Sequence, residues 1–254
     1  TLLAKFSGAT GTFAAHKIAF PKESWTGFSD KFIRELGLKN NPITTQIEPN
    51  DSIAELLHAF VRINNILTDM CVDIWLYISR NIFTQTNKVG EVGSSTMPHK
   101  INPISFENAE GNLELSNASF VFLASRISRS RLQRDLSGST LFRNIGVAFG
   151  HSLLAYKNII TGLNRIQPNE DQLSSELDGQ WSILAEAIQT VLRKSGDKGA
   201  YNKIKKLTRG VALNQESYLA LVESLNVADK DKKSLLNLTP SSYVGEIKKI
   251  LKKY

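Results

Sequence analysis

The sequence predicts an all-α fold, a bundle of long helices followed by a smaller helical domain. Three observations lead there. Apolar residues recur every three or four positions over stretches longer than an ordinary globular helix, helix caps and stops punctuate the remainder, and no segment alternates as a half-buried strand does. With 41% hydrophobic side chains over 254 residues, the chain can bury a large core.

Near the start, Pro21 and the stretch from Pro42 to Pro49 form connectors around one short helix, Ser24 to Leu36, closed by Gly37. From Ser52 onwards, Ile53, Leu56, Leu57, Phe60, Ile63, Leu67, Met70, Ile74 and Ile78 form a helical stripe, with Asp51 or Ser52 as N-cap and Glu55 as the capping-box acid. No Gly or Pro follows until Gly90, which allows a helix of about 50 Å at ~1.5 Å per residue. A second pattern opens at Pro103, a residue suited to a first turn, and runs through Leu113, Leu115, Phe120, Phe122 and Leu123 towards Ile127. A third covers Leu141 to Leu163, with Gly146 and Gly150 expected where helices approach closely. After Gln167 the helices shorten, with Asn169, Asn214 and Thr239 as caps and Gly196 and Gly199 as stops. These changes divide the chain into a bundle domain, residues 1–165, and a C-terminal helical domain, residues 166–254.

Composition narrows the function classes. The single Cys71 cannot form an internal disulfide and no leader-like segment opens the chain, so a cytoplasmic setting is expected. Charged residues interrupt every apolar run before the roughly 20 residues of a spanning helix, so no membrane partner is expected. The formal charge of +7 is concentrated in Lys203, Lys205, Lys206, Lys248, Lys249, Lys252 and Lys253, which reads as solvated helix faces rather than a nucleic-acid surface. The lone cysteine and four scattered histidines lack metal-ligand spacing, so no metal is expected.

Between the first two long patterns lies Gly93-Ser94-Ser95-Thr96-Met97-Pro98-His99-Lys100-Ile101-Asn102-Pro103. By composition it is a flexible polar connector. By chemistry, Lys100, Asn102 and the N–H groups at the start of the following helix can together hold a carboxylate. The arginines 126, 129, 131, 134 and 143 read alone as a solvated face or a nucleic-acid patch, although the guanidinium fork also suits a phosphate.

The loop resembles the signature of the fumarase/aspartase superfamily, Gly-Ser-Ser-x-Met-Pro-x-Lys-x-Asn-Pro. Further segments are similar to the adenylosuccinate lyase family in its bacterial form: Ser7 to Gly11, Thr44 to Pro49, Glu107-Asn108, Glu110 to Asn112, Gln133 to Leu136, Ser139 to Asn144 and Leu207 to Gly210. The resemblance spans essentially the whole chain. It implies elimination of fumarate from adenylosuccinate, giving AMP, and from the succinylated imidazole-carboxamide ribotide of purine nucleotide biosynthesis, with no cofactor.

On this resemblance Ser94 is the general base and Ser95 binds substrate beside it. Lys100 and Asn102 stabilise the enediolate-like charge that develops once the proton leaves carbon. Glu107 orients a general-acid histidine, and Gln46, Asn108, Arg134, Ser139 and Arg143 bind the nucleotide substrate. The acid histidine belongs to a Thr-x-x-His-Gly-Gln-like segment expected before Thr1; His16, His58, His99 and His151 are not that residue, so the chain alone is expected to be inactive. The family also builds its sites from the subunits of a homotetramer. Two other readings stand beside this one: another fumarate-releasing lyase of the superfamily, and a non-catalytic helical oligomerisation fragment.

Overall fold

A computed structural model of the chain describes residues 1–86, 102–200, 204–205 and 213–253. They divide into two compact units, Thr1–Gln167 and Pro168–Tyr254. Helices dominate both.

In the first unit, strand β1 (Leu3–Ala4) pairs in parallel with β2 (Lys39–Asn40). Between them lie α1 (Ala14–Ala19) and α2 (Trp25–Glu35). Gly37, at φ 75°, ends α2 with a pair of backbone bonds, Leu38 N–H to Ile33 O and Gly37 N–H to Arg34 O, that satisfy the last carbonyls. Three long helices follow: α3 (Asp51–Ser79), α4 (Ile104–Ile127) and α6 (Ile145–Leu163), with the six-residue α5 (Ser137–Phe142) before the last. Strand β3 (Phe83–Gln85) follows α3 and pairs with β4 (Ile166–Pro168), where the chain passes from one unit to the next.

The core of the bundle has three layers along its axis. At one end Ala54 and Leu57 of α3 pack with Phe120, Leu123, Ala124 and Ile127 of α4 and Ala148 of α6. At the other, Cys71 and Ile74 pack with Phe106, Ala109 and Leu113 and with Ala155 and Ile159. These pairings make α4 antiparallel to both neighbours. Between the apolar layers lies a buried polar one. Asn64 Nδ2 donates to Ser152 Oγ (3.0 Å) and Ser116 Oγ (3.4 Å), Tyr156 donates its hydroxyl to Asn64 Oδ1 (2.6 Å), and Ser116 Oγ donates to Ala148 O (2.8 Å). Because the Ser116 proton is used, the 2.7 Å contact between the two serine oxygens has Ser152 as donor.

Several local expectations need correction. The N-cap of α3 is Asn50, at φ 67° and without a side-chain cap bond, rather than Asp51 or Ser52, and the Glu55 capping box does not form. The Ser52 hydroxyl instead accepts the Leu3 N–H (2.9 Å), tying β1 to α3, while Glu48 accepts the Asn50 N–H (2.6 Å) and Asn41 Nδ2 (3.0 Å). α3 also ends before Gly90: Asn81 adopts φ 59°, and Ile82 N–H to Tyr77 O with Asn81 N–H to Ile78 O close it as Gly37 closes α2. At ~1.5 Å per residue its 29 residues span about 43 Å rather than 50. Pro103 is the N-cap of α4 rather than a first-turn residue, and the expected single helix from Leu141 is broken between α5 and α6. Gly146 and Gly150 face open space, whereas at Gly162 an added Cβ would stand 2.6 Å from Phe106 Cζ, so that is the close approach.

The second unit contains α7 (Glu170–Asp178), α8 (Ala185–Lys194), α9 (Gln215–Glu223), α10 (Asp229–Leu236) and α11 (Ile247–Leu251). Asn169, Asn214 and Thr239 cap through their side chains, the last two as capping boxes. Its core gathers Leu184, Ile188, Leu192, Val222 and Leu235 around Tyr218, whose buried hydroxyl donates to Leu235 O (2.9 Å) and is pushed up to about 12 by desolvation. No described helix is long and apolar enough to cross a membrane.

The contact at Gly162 gives a direct test of the packing. Gly162→Ala should destabilise the chain by about 1–3 kcal/mol in denaturant unfolding, through overpacking against Phe106. The second change Phe106→Leu should make the alanine better tolerated than it is alone; equal penalties in both backgrounds would show that the ring does not set the limit.

Candidate active site

Ser94, Ser95, His99 and Lys100 lie outside the described residues. The other expected site residues fall into two groups at opposite ends of α4. Asn102 precedes Pro103, and Glu107 and Asn108 follow within the first turns, where the unpaired N–H groups and the positive end of the helix dipole lie. Gln46, Arg134, Ser139 and Arg143 sit around the other end, beside Ile127. From Glu107 to Ile127 is about 30 Å at ~1.5 Å per residue. Among the described residues, one chain therefore does not bring the two candidate groups into one site.

At the first end, Trp75 on α3 donates its indole N–H to Glu107 Oε1 (2.9 Å). Asn158 on α6 donates to Asn108 Oδ1 (2.8 Å), and Asn112 does the same from one turn further along α4 (3.1 Å). His151 Nδ1 meets Asn112 Oδ1 at 2.8 Å. All three long helices thus hold the exposed acid and amide at the start of α4.

At the second end, two loops meet. Lys5 Nζ donates to the carbonyls of Gly8 (2.7 Å), Thr45 (3.0 Å) and Gln46 (2.8 Å), and burial lowers its pKa. Gly11 allows this approach: it adopts φ 75°, and a Cβ there would stand 2.1 Å from Thr44 O. Thr45 then donates its hydroxyl to Gln133 O (2.9 Å), joining the Gln46 loop to the segment that carries Arg134. A cleft lined by Glu48, Asn50, Arg129, Arg134, Ser139 and Phe142 opens here.

The segment is shaped by Asp135. Its Oδ1 accepts the N–H (3.0 Å) and hydroxyl (2.5 Å) of Ser137, and Arg126 reaches Ser137 Oγ at 2.5 Å and Asp135 Oδ2 at 3.8 Å. The Ser137 bonds, then the charges of Arg126 and Arg131, hold the Asp135 carboxyl below its ordinary value against some desolvation. Arg126, read from the sequence as surface, is therefore a structural partner of the loop.

Lys5, Trp75, Asn112, Asn158 and His151 were not expected among the site residues. Trp75, Asn158 and His151 reach their partners across a helix interface and Lys5 reaches Thr45 and Gln46 from 40 and 41 residues away, so no local spacing announces them; only Asn112, four residues beyond Asn108 on α4, stands at a spacing that could have signalled it. His16 sits among the rings of Phe6, Phe13 and Trp25, its Nδ1 buried without a hydrogen-bond partner among the described residues. It is remote in sequence from either group and touches neither in the bonds described.

A family model described as Lyase matches residues 1–115, and one described as Adenylosuccinate lyase C-terminal matches residues 130–244. The adenylosuccinate lyase of Legionella pneumophila (strain Corby) is 48% identical over 99% of this chain and 55% of its own length. That of Escherichia coli (strain K12) is 47% identical over 96% and 54%. The chain thus spans about half the length of the curated relatives it matches. Among solved structures, the 3-carboxy-cis,cis-muconate lactonizing enzyme of Pseudomonas putida superposes with a TM-score of 0.69 at 18% identity, covering 99% of this chain and 56% of that one, a likeness of fold.

The Asp135 arrangement predicts a pH dependence. Because its folded carboxyl titrates below the ordinary 3.8, the unfolded chain takes up the proton first as pH falls. The stability contributed by Asp135 is complete above 3.8 and is lost as pH falls through the lower folded value. Asp135→Asn should therefore be less stable than the parent near pH 7 and converge on it in acid; a gap that persists undiminished below the carboxylate range would assign the loss to packing.

Proposed function

The chain belongs to the adenylosuccinate lyase family, and we propose that the protein carrying it eliminates fumarate from adenylosuccinate and from the succinylated imidazole-carboxamide ribotide, in sites shared between the subunits of a homotetramer. The observation that carries the shared-site reading is the division of the candidate residues between the two ends of α4. A site that needs both groups must take them from different copies. The outer face of the bundle supports this, because Leu56, Ile63, Ile66, Val72, Leu115 and Phe122 are exposed apolar residues on helices whose other faces form the core. A cytoplasmic setting accords with the substrates proposed.

Elimination begins when a base removes a proton from the carbon beside a carboxylate, and the family motif gives that task to Ser94. Charge then spreads onto the carboxylate, where Lys100, Asn102 and the first N–H groups of α4 form a set of donors that strengthen as the charge grows. The C–N bond breaks, fumarate departs, and the leaving nitrogen takes a proton from the acid histidine that Glu107 orients. Arg134, Ser139 and Arg143 hold the nucleotide portion, with Gln46 and Asn108 completing the binding groups and Ser95 beside the base. No step requires a cofactor.

Subunit mixing tests the proposal. In the full-length protein, Glu107→Gln and Arg143→Ala should each release fumarate far more slowly than the parent, the first through kcat and the second chiefly through KM. Mixed after dissociation and reassembly, they should regain about a quarter of parental activity if each site takes the two groups from different copies, as random exchange leaves that fraction intact. No recovery in verified hybrids would place both groups in one chain. Ser94→Ala should abolish elimination while leaving substrate binding largely intact; near-normal turnover would remove Ser94 as the base.

A further inference from the structure

The side chains around Asn108 form a chain of hydrogen bonds whose direction can be deduced. A backbone carbonyl only accepts, so any amide bonded to one must show it the NH2 group. Asn158 bonds Leu154 O (3.0 Å), and its Nδ2 is therefore the group that also faces Asn108 (2.8 Å). Asn112 bonds Asn108 O (2.8 Å), so its Nδ2 too is the group facing the Asn108 side chain (3.1 Å). Two donors converge on one atom of Asn108, and that atom must be Oδ1. Its Nδ2 then points away and has no hydrogen-bond partner among the described residues. The same logic runs outward: Asn112 Oδ1 is left to face His151 Nδ1 at 2.8 Å, so that nitrogen carries the proton.

We infer that Asn112, Asn158 and His151 are positioning residues that lock the Asn108 carboxamide in one orientation, so that Asn108 meets its ligand only as a hydrogen-bond donor to an anionic oxygen. The inference rests on the reading of Asn108 as a substrate-binding residue and adds the polarity of that contact and the residues that impose it. The ligand chemistry follows from the place as well as the atom. Asn108 lies in the first turns of α4, where the helix dipole favours negative charge, and an exposed NH2 with no internal acceptor adds a donor to that field. An isolated asparagine can turn over and offer either end. This one cannot do so without setting its NH2 against two other NH2 groups.

Reversing single members of the chain tests this in the full-length protein. Asn158→Asp and Asn112→Asp keep the shape but replace the donor with an acceptor, so Asn108 should turn and present Oδ1 to the ligand. Each should raise KM for the succinylated substrate about tenfold, the scale of a hydrogen bond to a charged group, with kcat within about twofold. Asn108→Asp should do the same. If Asn108→Asp leaves KM unchanged, Asn108 does not bind substrate and the inference falls with that reading. A raised KM in Asn108→Asp but a parental KM in the Asn112 and Asn158 variants would overturn the positioning role alone. A second measurement needs no variant that must fold: nitrogen-15 spectra of labelled histidine in the unaltered protein should show neutral His151 as the Nδ1–H tautomer. An Nε2–H tautomer would reverse the deduced chain and overturn the proposal.

Discussion

The bundle depends on one buried amide. Asn64 is fully buried, and so are Ser116 and Ser152, the residues it bonds on the two neighbouring helices. An unpaired polar group in such a place costs about 1–3 kcal/mol, and several would be stranded if any helix slid along another. The apolar layers above and below impose a steric condition of their own at Gly162 and Phe106, but their Leu, Ile, Ala and Phe side chains carry no hydrogen bonds that a shift of register would break. The polar layer does. A buried asparagine that fixes register among packed helices is a known device of coiled coils. Here it is completed by Tyr156, which closes the amide oxygen, and by Ala148 O, which takes the last serine proton.

That layer was not legible in the sequence, and the reason is instructive. Hydrophobic periodicity located α3, α4 and much of α6 because burial leaves apolar residues at helical spacing. Asn64 stands between those apolar positions and nothing in its spacing announces a buried partner. The α3 stripe also reads as one face, whereas Leu57 and Ile74 are buried in the bundle and Leu56 and Ile63 are exposed on the outside. A helix apolar on two sides shows a blurred stripe, and a single chain gives no means of assigning the second side. Gly37 was readable as a stop because glycine favours positive φ, while Asn81 adopts the same conformation with a residue that more often signals a cap or a turn.

The candidate site was legible in a different way. Its motifs are strings of residues, and a string carries identity without distance. The structure adds what a string omits: Glu107 and Arg143 flank opposite ends of a long helix, and each end has its own supporting contacts. At one end these are helix-to-helix bonds from Trp75 and Asn158; at the other they are loop clamps from Lys5 and Asp135. The separation of the two candidate groups is set by the helix, so the assembly proposed above would bring unlike ends together without either group having to fold again on contact.

The register constraint and the site are parts of one argument. On α4, the exposed Asn108, the half-buried Asn112 and the buried Ser116 follow one another at intervals of four, so the amides continue the row that enters the core at Ser116. On α6, His151 adjoins Ser152, and Asn158 lies two residues beyond Tyr156. The buried bonds from Ser116 to Ala148 and Ser152 therefore determine which residues of α6 stand opposite Asn108 and Asn112 at the surface. A slip of one residue would rotate α6 by about 100° at ~3.6 residues per turn, stranding the serines and carrying Asn158 away from its partner. The interaction that makes the fold unique is thus also the one that sets the amides of α4 and α6 against each other at the candidate site.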